Sequence, residues 1–314
     1  MASLQNSGQV LLQDLHAGLA HHRAGRLDAA EAHYRKILKR LPDQPDALNL
    51  SGVIAQERGR PVRAVQLILH ALRIRPAFPE ALTNLARAQR AAGDAAAAMV
   101  SARKAIELAP CLAEAYVQLG RSLFDLEDYA GAAEALRSAI KLAPGSLEAH
   151  VNLAAVLTRL KEFPAAAEVY QAAHRLDPAR VETLTDFGEV LTHMERHDDA
   201  VRLHRRAAAL APQDPRTLAG LAAALKQAQD AAGSAEACRR VLALAPDRPD
   251  IWVMLGNNLS ALGRFPEAIE CHKRALALEP DHADASRGMV AAGERIENQQ
   301  ELERLRGAVE DDSL

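Results

Sequence analysis

Histidine is the residue type that most plainly suggests chemistry in this sequence. His193 and His197 are four residues apart, and His204 follows seven residues later. Two imidazoles four residues apart can bind one metal ion when both lie on the same face of a helix. His197 falls in an expected turn between helices, where that spacing no longer keeps the two rings on one face. We therefore expect solvated histidines at this turn and no metal site.

The sequence contains none of the common catalytic motifs. It has no GxxxxGK phosphate loop, no GxGxxG, no GxSxG and no HExxH. The cysteines, Cys111, Cys238 and Cys271, are far apart and lack the CxxC spacing of zinc sites. We expect reduced, packed thiols, no cofactor, no metal and no catalytic residues. The chain as given is predicted not to be an enzyme.

Composition and charge narrow the class of protein further. Of the 314 residues, 49% are hydrophobic and 25% are charged, which is typical of a folded chain, but only 3% are aromatic. The net charge of −3 provides no cationic field for nucleic acid or anionic membranes. Neither a secretion signal nor a long apolar run is found. We expect a cytoplasmic protein with no nucleic-acid or membrane partner.

A repeat of constant length organises the chain. Prolines recur every 34 residues, at Pro42, Pro76, Pro110, Pro144, Pro178, Pro212, Pro246 and Pro280. A column of small residues shares this frame and contains Gly18, Gly52, Ala86, Gly120, Ala154, Gly188, Ala222 and Gly256. Apolar residues around each small position follow helical spacing, which predicts two amphipathic helices in each 34-residue unit. One such hairpin leaves an apolar face exposed, and neighbouring hairpins must stack to bury it.

The repeated pattern resembles the tetratricopeptide repeat (TPR) family. Repeat eight carries Trp252, Leu255, Gly256, Leu259, Ala268, Ala275 and Pro280, and repeat four carries Tyr116, Leu119, Gly120, Leu123, Ala132, Leu136, Ala139 and Pro144. The resemblance covers residues 11–282 and implies an all-α, right-handed superhelical solenoid of about eight helical hairpins. The usual aromatic residue of the second helix is replaced by Ala102, His204, Cys238 and His272. Local packing is expected to differ at these four positions.

The two ends of the chain lie outside the eight repeats. Residues 1–10 are expected to be a flexible amino terminus, and residues 283–314 a capping helix with an acidic tail or linker. The tail is similar to the linker that follows the repeats in bacterial TPR proteins with a carboxy-terminal sulfotransferase domain. Similar arrays precede the O-linked N-acetylglucosamine transferase fold. An alternative function is therefore the substrate-recruiting amino-terminal arm of a larger sulfotransferase or protein glycosyltransferase.

The family resemblance also points to candidate peptide-binding residues. In TPR folds the first helix of each repeat lines the concave groove, and the residue two before the small position points into that groove. Four successive repeats have a polar residue there: Asn84, Gln118, Asn152 and Asp186. This column resembles the asparagine ladder of the O-linked N-acetylglucosamine transferase repeats, which implies hydrogen bonds to a peptide backbone. The alternative is that a wet groove merely tolerates polar residues.

Arginines stand one turn further along the same helices, at Arg87 and Arg121. Guanidinium groups there could bind carboxylates or phosphates, or could be solvated or paired with acids such as Glu80, Glu114 and Glu148 in the first turns of the same helices. The predicted function is a protein–protein interaction scaffold that binds a peptide or protein in the groove. Self-association is a further alternative, because residues 1–78 are net basic and residues 281–314 are net acidic.

Overall fold

The computed structural model describes the backbone of residues 2–311 and the side chains of residues 11–300. Within this part of the chain all regular secondary structure is α-helical. The helices are α1 (Ala2–Arg23), α2 (Leu27–Arg40), α3 (Pro45–Glu57), α4 (Pro61–Ile74), α5 (Pro79–Ala91), α6 (Ala95–Leu108), α7 (Ala113–Asp125), α8 (Tyr129–Leu142), α9 (Leu147–Arg159), α10 (Phe163–Leu176), α11 (Val181–His193), α12 (His197–Leu210), α13 (Pro215–Gln227), α14 (Ala231–Leu244), α15 (Pro249–Ala261), α16 (Phe265–Leu278) and α17 (Ala283–Asp311). The predicted all-α repeat solenoid is confirmed.

The third repeat shows how each hairpin forms. Its first helix, α5, has 13 residues and its second helix, α6, has 14. Asp94 caps α6, because its carboxylate accepts a hydrogen bond of 2.9 Å from the backbone N–H of Ala97. At the end of α6, the backbone N–H of Ala109 donates a hydrogen bond to the carbonyl oxygen of Ala105, and Pro110 then prevents the helix from continuing.

The turn inside each hairpin contains a residue with positive φ. In four repeats this residue is glycine, at Gly25, Gly59, Gly93 and Gly263. In the other four it is Glu127, Lys161, Glu195 or Gln229, with φ of 62°, 61°, 57° and 62°. Left-handed backbone suits glycine and disfavours residues with a Cβ. Four hairpins therefore form this turn against the backbone preference of their own residue.

Within a hairpin, the small residue of the first helix faces a side chain of the second helix sixteen residues later. A Cβ atom on Gly120 would lie 2.6 Å from Leu136 Cγ, and one on Gly188 would lie 2.6 Å from His204 Nε2. Where the first helix carries Ala86, the second carries the small, fully buried Ala102. In this third repeat, the larger Ala86 is thus matched by the small Ala102, which stands where the usual aromatic residue is replaced.

The chain divides into two compact units, unit 1 (Met1–Glu162) and unit 2 (Phe163–Leu314). In unit 1 the helices pack in series, so that α5 contacts α6 and α7, while α7 contacts α8 and α9. The first helices α3, α5, α7 and α9 therefore lie side by side. In unit 2, α11 contacts α13 and α15 contacts α17. Unit 2 thus has contacts between alternate helices as well, at these two places.

The ends of the described chain are helical. Residues 2–10, which the sequence predicts to be flexible, belong to α1. Residues 283–311, part of the segment for which a cap and tail are predicted, form α17, which contacts α15 and α16. The last three residues of the predicted tail, 312–314, lie outside the described residues. Among the helices that are described, none combines the length and the apolar character needed to cross a membrane.

Candidate functional site

The predicted polar column lies on successive first helices. Asn84 on α5, Gln118 on α7 and Asn152 on α9 occupy the same repeat position within unit 1. Because α5 contacts α7 and α7 contacts α9, unit 1 brings these three residues to neighbouring helices. Asp186, on α11, belongs to unit 2. The predicted column therefore divides into a group of three amides and a separate carboxylate.

The three amides differ in how accessible they are. Asn84 is half-buried, and its Nδ2 donates a hydrogen bond of 3.1 Å to Asn49 Oδ1 on α3. Gln118 is only 1% exposed, and its Nε2 donates to Glu114 Oε1 at 2.7 Å. Its Oε1 is buried without a hydrogen-bond partner among the described residues. Asn152 is half-buried and lines a cavity. Of the three, Asn152 is the amide best placed to meet a ligand.

The two predicted arginines are paired with carboxylates of the next first helix. Arg87 Nη2 donates to Glu114 Oε1 at 3.1 Å, and Arg121 donates to Glu148. A third arginine, Arg90, bonds Asp125 Oδ2 at 3.2 Å. All three pairs remain partly exposed. These arginines link α5 to α7 and α7 to α9. The sequence placed the possible partner acids on the arginines' own helices, whereas the bonded carboxylates belong to the next first helix. Whether the arginines also bind a ligand stays a prediction.

The Arg121 guanidinium lies in a partly buried, cationic environment. Burial is the main cause that lowers its pKa, and the positive charge of Arg90 lowers it further. Glu148 acts in the opposite direction, through its charge and its hydrogen bond, while Arg87 adds to the lowering. The resident carboxylate therefore does not fully offset the burial of Arg121 and the repulsion from its arginine neighbours.

A cavity of about 170 Å³ opens between α5, α7, α8 and α9 of unit 1. Its apolar wall is formed by Gly120, Phe124, Leu136, Ala155 and Val156, and its polar wall by Arg90, Arg121, Asp125 and Asn152. An apolar pocket edged by a few polar groups is the usual form of a ligand site in proteins.

One column of the repeat marks the place of this cavity in the sequence. The residue that follows the small position is Arg87 in repeat three and Arg121 in repeat four, but it is Ala155 in repeat five. Ala155 lines the cavity and is half-buried. Because Ala155 is short where the two preceding repeats have arginine, no long side chain from this column fills the cavity next to Val156 and Leu136.

Unit 2 contains a larger and more acidic hollow, with a volume of about 610 Å³, between α11, α13 and α15. Asp186 lies in its wall with Glu182 and Glu189. Burial, together with the negative charges of Glu189 and Glu182, raises the pKa of Asp186 to about 6. Among the described side chains, Asp186 forms no salt bridge. The carboxylate is thus held in a place that disfavours its own charge.

The histidines that suggested metal chemistry lie in different surroundings. The His193 ring stacks on Phe163 with 4.7 Å between ring centroids, and His197 is the first residue of α12. His204 is 2% exposed and lies between Gly188 and Gly220. In the part of the chain that the structure describes, no three histidine, cysteine or acidic side chains are placed to hold a metal ion.

Helical hairpins stacked with a constant period define a helical repeat solenoid. Comparison with protein families agrees. Tetratricopeptide repeats match residues 15–79, 79–110, 117–180, 183–216 and 249–282, which together make up more than half of the chain. The chain belongs to the tetratricopeptide repeat family. No curated protein sequence matches it.

Several solved structures have a similar fold. YrrB, described as a TPR protein with an unusual peptide-binding site, is 19% identical, with a TM-score of 0.55 over 59% of this chain and 96% of its own. A chain in the crystal structure of the APC/C hetero-tetramer Cut9–Hcn1 is 17% identical, with a TM-score of 0.61 over 93% of this chain and 57% of that chain. MamA from Desulfovibrio magneticus RS-1 is 19% identical, with a TM-score of 0.52 over 55% of this chain and 97% of its own. At these identities the similarity shows the fold.

Proposed function

We propose that unit 1 binds an extended segment of a partner protein along α5, α7 and α9, and that it does so without catalysis. The observation that carries this proposal is the cavity between these helices, where polar groups from three successive first helices edge an apolar wall. An extended peptide presents both backbone hydrogen-bonding groups and side chains to bury. The first helices of unit 1 offer complementary groups for both.

The amide column is proposed to bind the peptide backbone. An asparagine side chain can accept from a peptide N–H and donate to a peptide C=O at the same time. Asn152 can do so from its present position, because it lines the cavity. Asn84 would exchange its bond to Asn49 for one to the peptide, and Gln118 would first have to leave Glu114. We expect Asn152 to contribute most and Gln118 least.

Arg87 and Arg121 are proposed to favour acidic partners. Each guanidinium already bonds a carboxylate from the next helix, so an acidic ligand must share or replace Glu114 or Glu148. A partly exposed ion pair contributes only about 0–1 kcal/mol, so this exchange costs little. The resulting preference for acidic residues would be modest and would weaken at high salt.

Asp186 forms a separate part of the proposal, because it belongs to unit 2. Its carboxylate accepts hydrogen bonds but donates none when ionised. With Glu182 and Glu189 nearby in the same wall, it would favour peptide N–H groups or a cationic side chain. The two hollows are thus proposed to prefer different ligand chemistry.

Photo-crosslinking tests where the partner binds. Peptides are first selected from a random displayed library on the purified full chain. A photoreactive amino acid is then placed at Asn84 or Asn152, and as a control at Ala96, which is exposed on α6. Crosslinks from the first-helix positions but not from Ala96 are expected. Crosslinks only from Ala96, or no selected peptide at all, would show that the first helices are not the binding surface.

Three further interpretations stay predictions from the sequence. They are the cytoplasmic location, self-association, and the alternative role as the recruiting arm of a larger transferase.

A further inference from the structure

The cavity of unit 1 has the dimensions of a single side chain. Its volume is about 170 Å³. For comparison, a protein cavity of roughly 150 Å³ lined by apolar residues binds benzene. A leucine, isoleucine, methionine or phenylalanine side chain has about this size, and a longer polar side chain would leave its polar atoms against the apolar wall.

The wall is suited to an apolar side chain. Leu136 is fully buried, Val156 is 1% exposed, and Gly120, which is also buried, adds no side chain to the wall. The Phe124 ring forms another side of the cavity. Burying an apolar side chain against such a wall stabilises a complex in proportion to the area removed from water.

The polar edge of the cavity holds a donor that is not used. Arg90 donates from Nη1 to Asp125, but its Nε is buried and has no hydrogen-bond partner among the described residues. A buried donor without an acceptor costs free energy, and an acceptor brought by a ligand removes that cost. A peptide carbonyl oxygen next to the cavity is such an acceptor.

We propose that this cavity is a specificity pocket that takes one leucine- to phenylalanine-sized apolar side chain of the bound segment, while Arg90 Nε donates to a backbone carbonyl of that segment. The proposal rests on the proposed function and adds a requirement to it. The partner must carry an apolar residue at one particular position. Ala155 keeps the pocket open, since the corresponding residues of the two preceding repeats are arginines.

The test uses the full chain and one peptide selected from the random library. Ala155→Leu fills the pocket, and Ala96→Leu makes the same substitution on the exposed face of α6. Fluorescence polarisation gives Kd for the peptide and for versions with each apolar residue replaced by alanine. We expect at least a tenfold rise in Kd for Ala155→Leu, and less than a twofold change for Ala96→Leu.

The peptide series decides whether the pocket itself is responsible. At one apolar position of the peptide, replacement by alanine should raise Kd at least tenfold for the original protein. The same replacement should raise Kd less than twofold for Ala155→Leu. Arg90→Lys keeps the charge but lacks the Nε–H donor, and should raise Kd about threefold or more. This second variant decides the matter if Ala155→Leu does not fold.

Two outcomes would overturn the proposal, and they can be told apart. Unchanged affinity of Ala155→Leu, or of Arg90→Lys where Ala155→Leu does not fold, would overturn the pocket. If crosslinks still map to Asn84 and Asn152, the proposed function stands. Recovery of no peptide, or crosslinks confined to Ala96, would overturn both the pocket and the proposed function.

Discussion

Gly120 on α7 lies so close to Leu136 on α8 that a Cβ atom at position 120 would be 2.6 Å from Leu136 Cγ. Leu136 is fully buried, so it has little room to move away. We expect Gly120→Ala to destabilise the protein by about 1–3 kcal/mol, because it overpacks this contact. Gly145→Ala is the matched control, since a Cβ there would meet nothing within 4 Å. Equal urea midpoints for the two variants would contradict the packing described for the hairpins.

The turn residue Glu127 leads to a prediction of the opposite sign. Its φ of 62° favours glycine. We expect Glu127→Gly to stabilise the protein by roughly 0.5–1 kcal/mol, since relief of the left-handed backbone exceeds the added freedom of the unfolded chain. Glu134→Gly, at an exposed position inside α8, should instead destabilise by about 1 kcal/mol. Urea unfolding of both variants checks this, and a loss of stability in Glu127→Gly would count against it.

His204 is expected to make the free energy of unfolding depend on pH. Burial lowers its pKa to about 4, from an ordinary value of 6.5. Above pH 6.5 the ring is neutral in both states and has no effect. As the pH falls from 6.5 to 4, the unfolded chain binds a proton that the folded chain does not, so the free energy of unfolding falls, by on the order of 3 kcal/mol at most.

Replacing His204 should remove this dependence. His204→Leu places at position 204 the residue type that Leu136 supplies at the same position two repeats earlier. Urea unfolding from pH 7.5 to 4 should show a flatter profile for this variant than for the original protein. The same slope in both proteins would mean that His204 binds its proton as readily folded as unfolded.

Asp186 shifts stability in the other direction. Its pKa is raised from an ordinary value of 3.8 to about 6 in the folded state. As the pH rises from about 4 to 6, the unfolded chain loses a proton that the folded chain retains, so the free energy of unfolding falls. We expect Asp186→Asn to stabilise the protein by about 1–2 kcal/mol at pH 7.5, allowing for its partial exposure. This gain should shrink as the pH falls from 6 to 4. A gain independent of pH would show that the charge of Asp186 is not its cause.

The fold could be predicted from the sequence because a constant period leaves few alternatives. The 34-residue spacing of the prolines and the column of small residues determine where each helix ends and which side packs. The period also locates α13 and α14, and all but the first two residues of these helices lie between the family-matched segments ending at residue 216 and beginning at residue 249.

The state of the candidate site was less predictable, because it depends on side-chain positions. Gln118 stands in the same column as Asn152, yet it is buried and bonded to Glu114, whereas Asn152 lines the cavity. Asn and Gln have the same groups, and the extra methylene of Gln lets its amide reach back one turn to Glu114. The polar column alone does not show which of these side chains bonds a residue of its own helix and which faces a cavity.

The most direct test of binding along the first helices observes the side-chain amides of the amide column. In ¹⁵N NMR spectra, the NH₂ signals of Asn84 and Asn152 should shift when a selected peptide is added to saturation. The buried Asn258, whose Nδ2 donates to Ser234 Oγ at 2.7 Å, should not shift. Unmoved signals from Asn84 and Asn152, with shifts confined to backbone amides of the second helices, would contradict binding along the first helices.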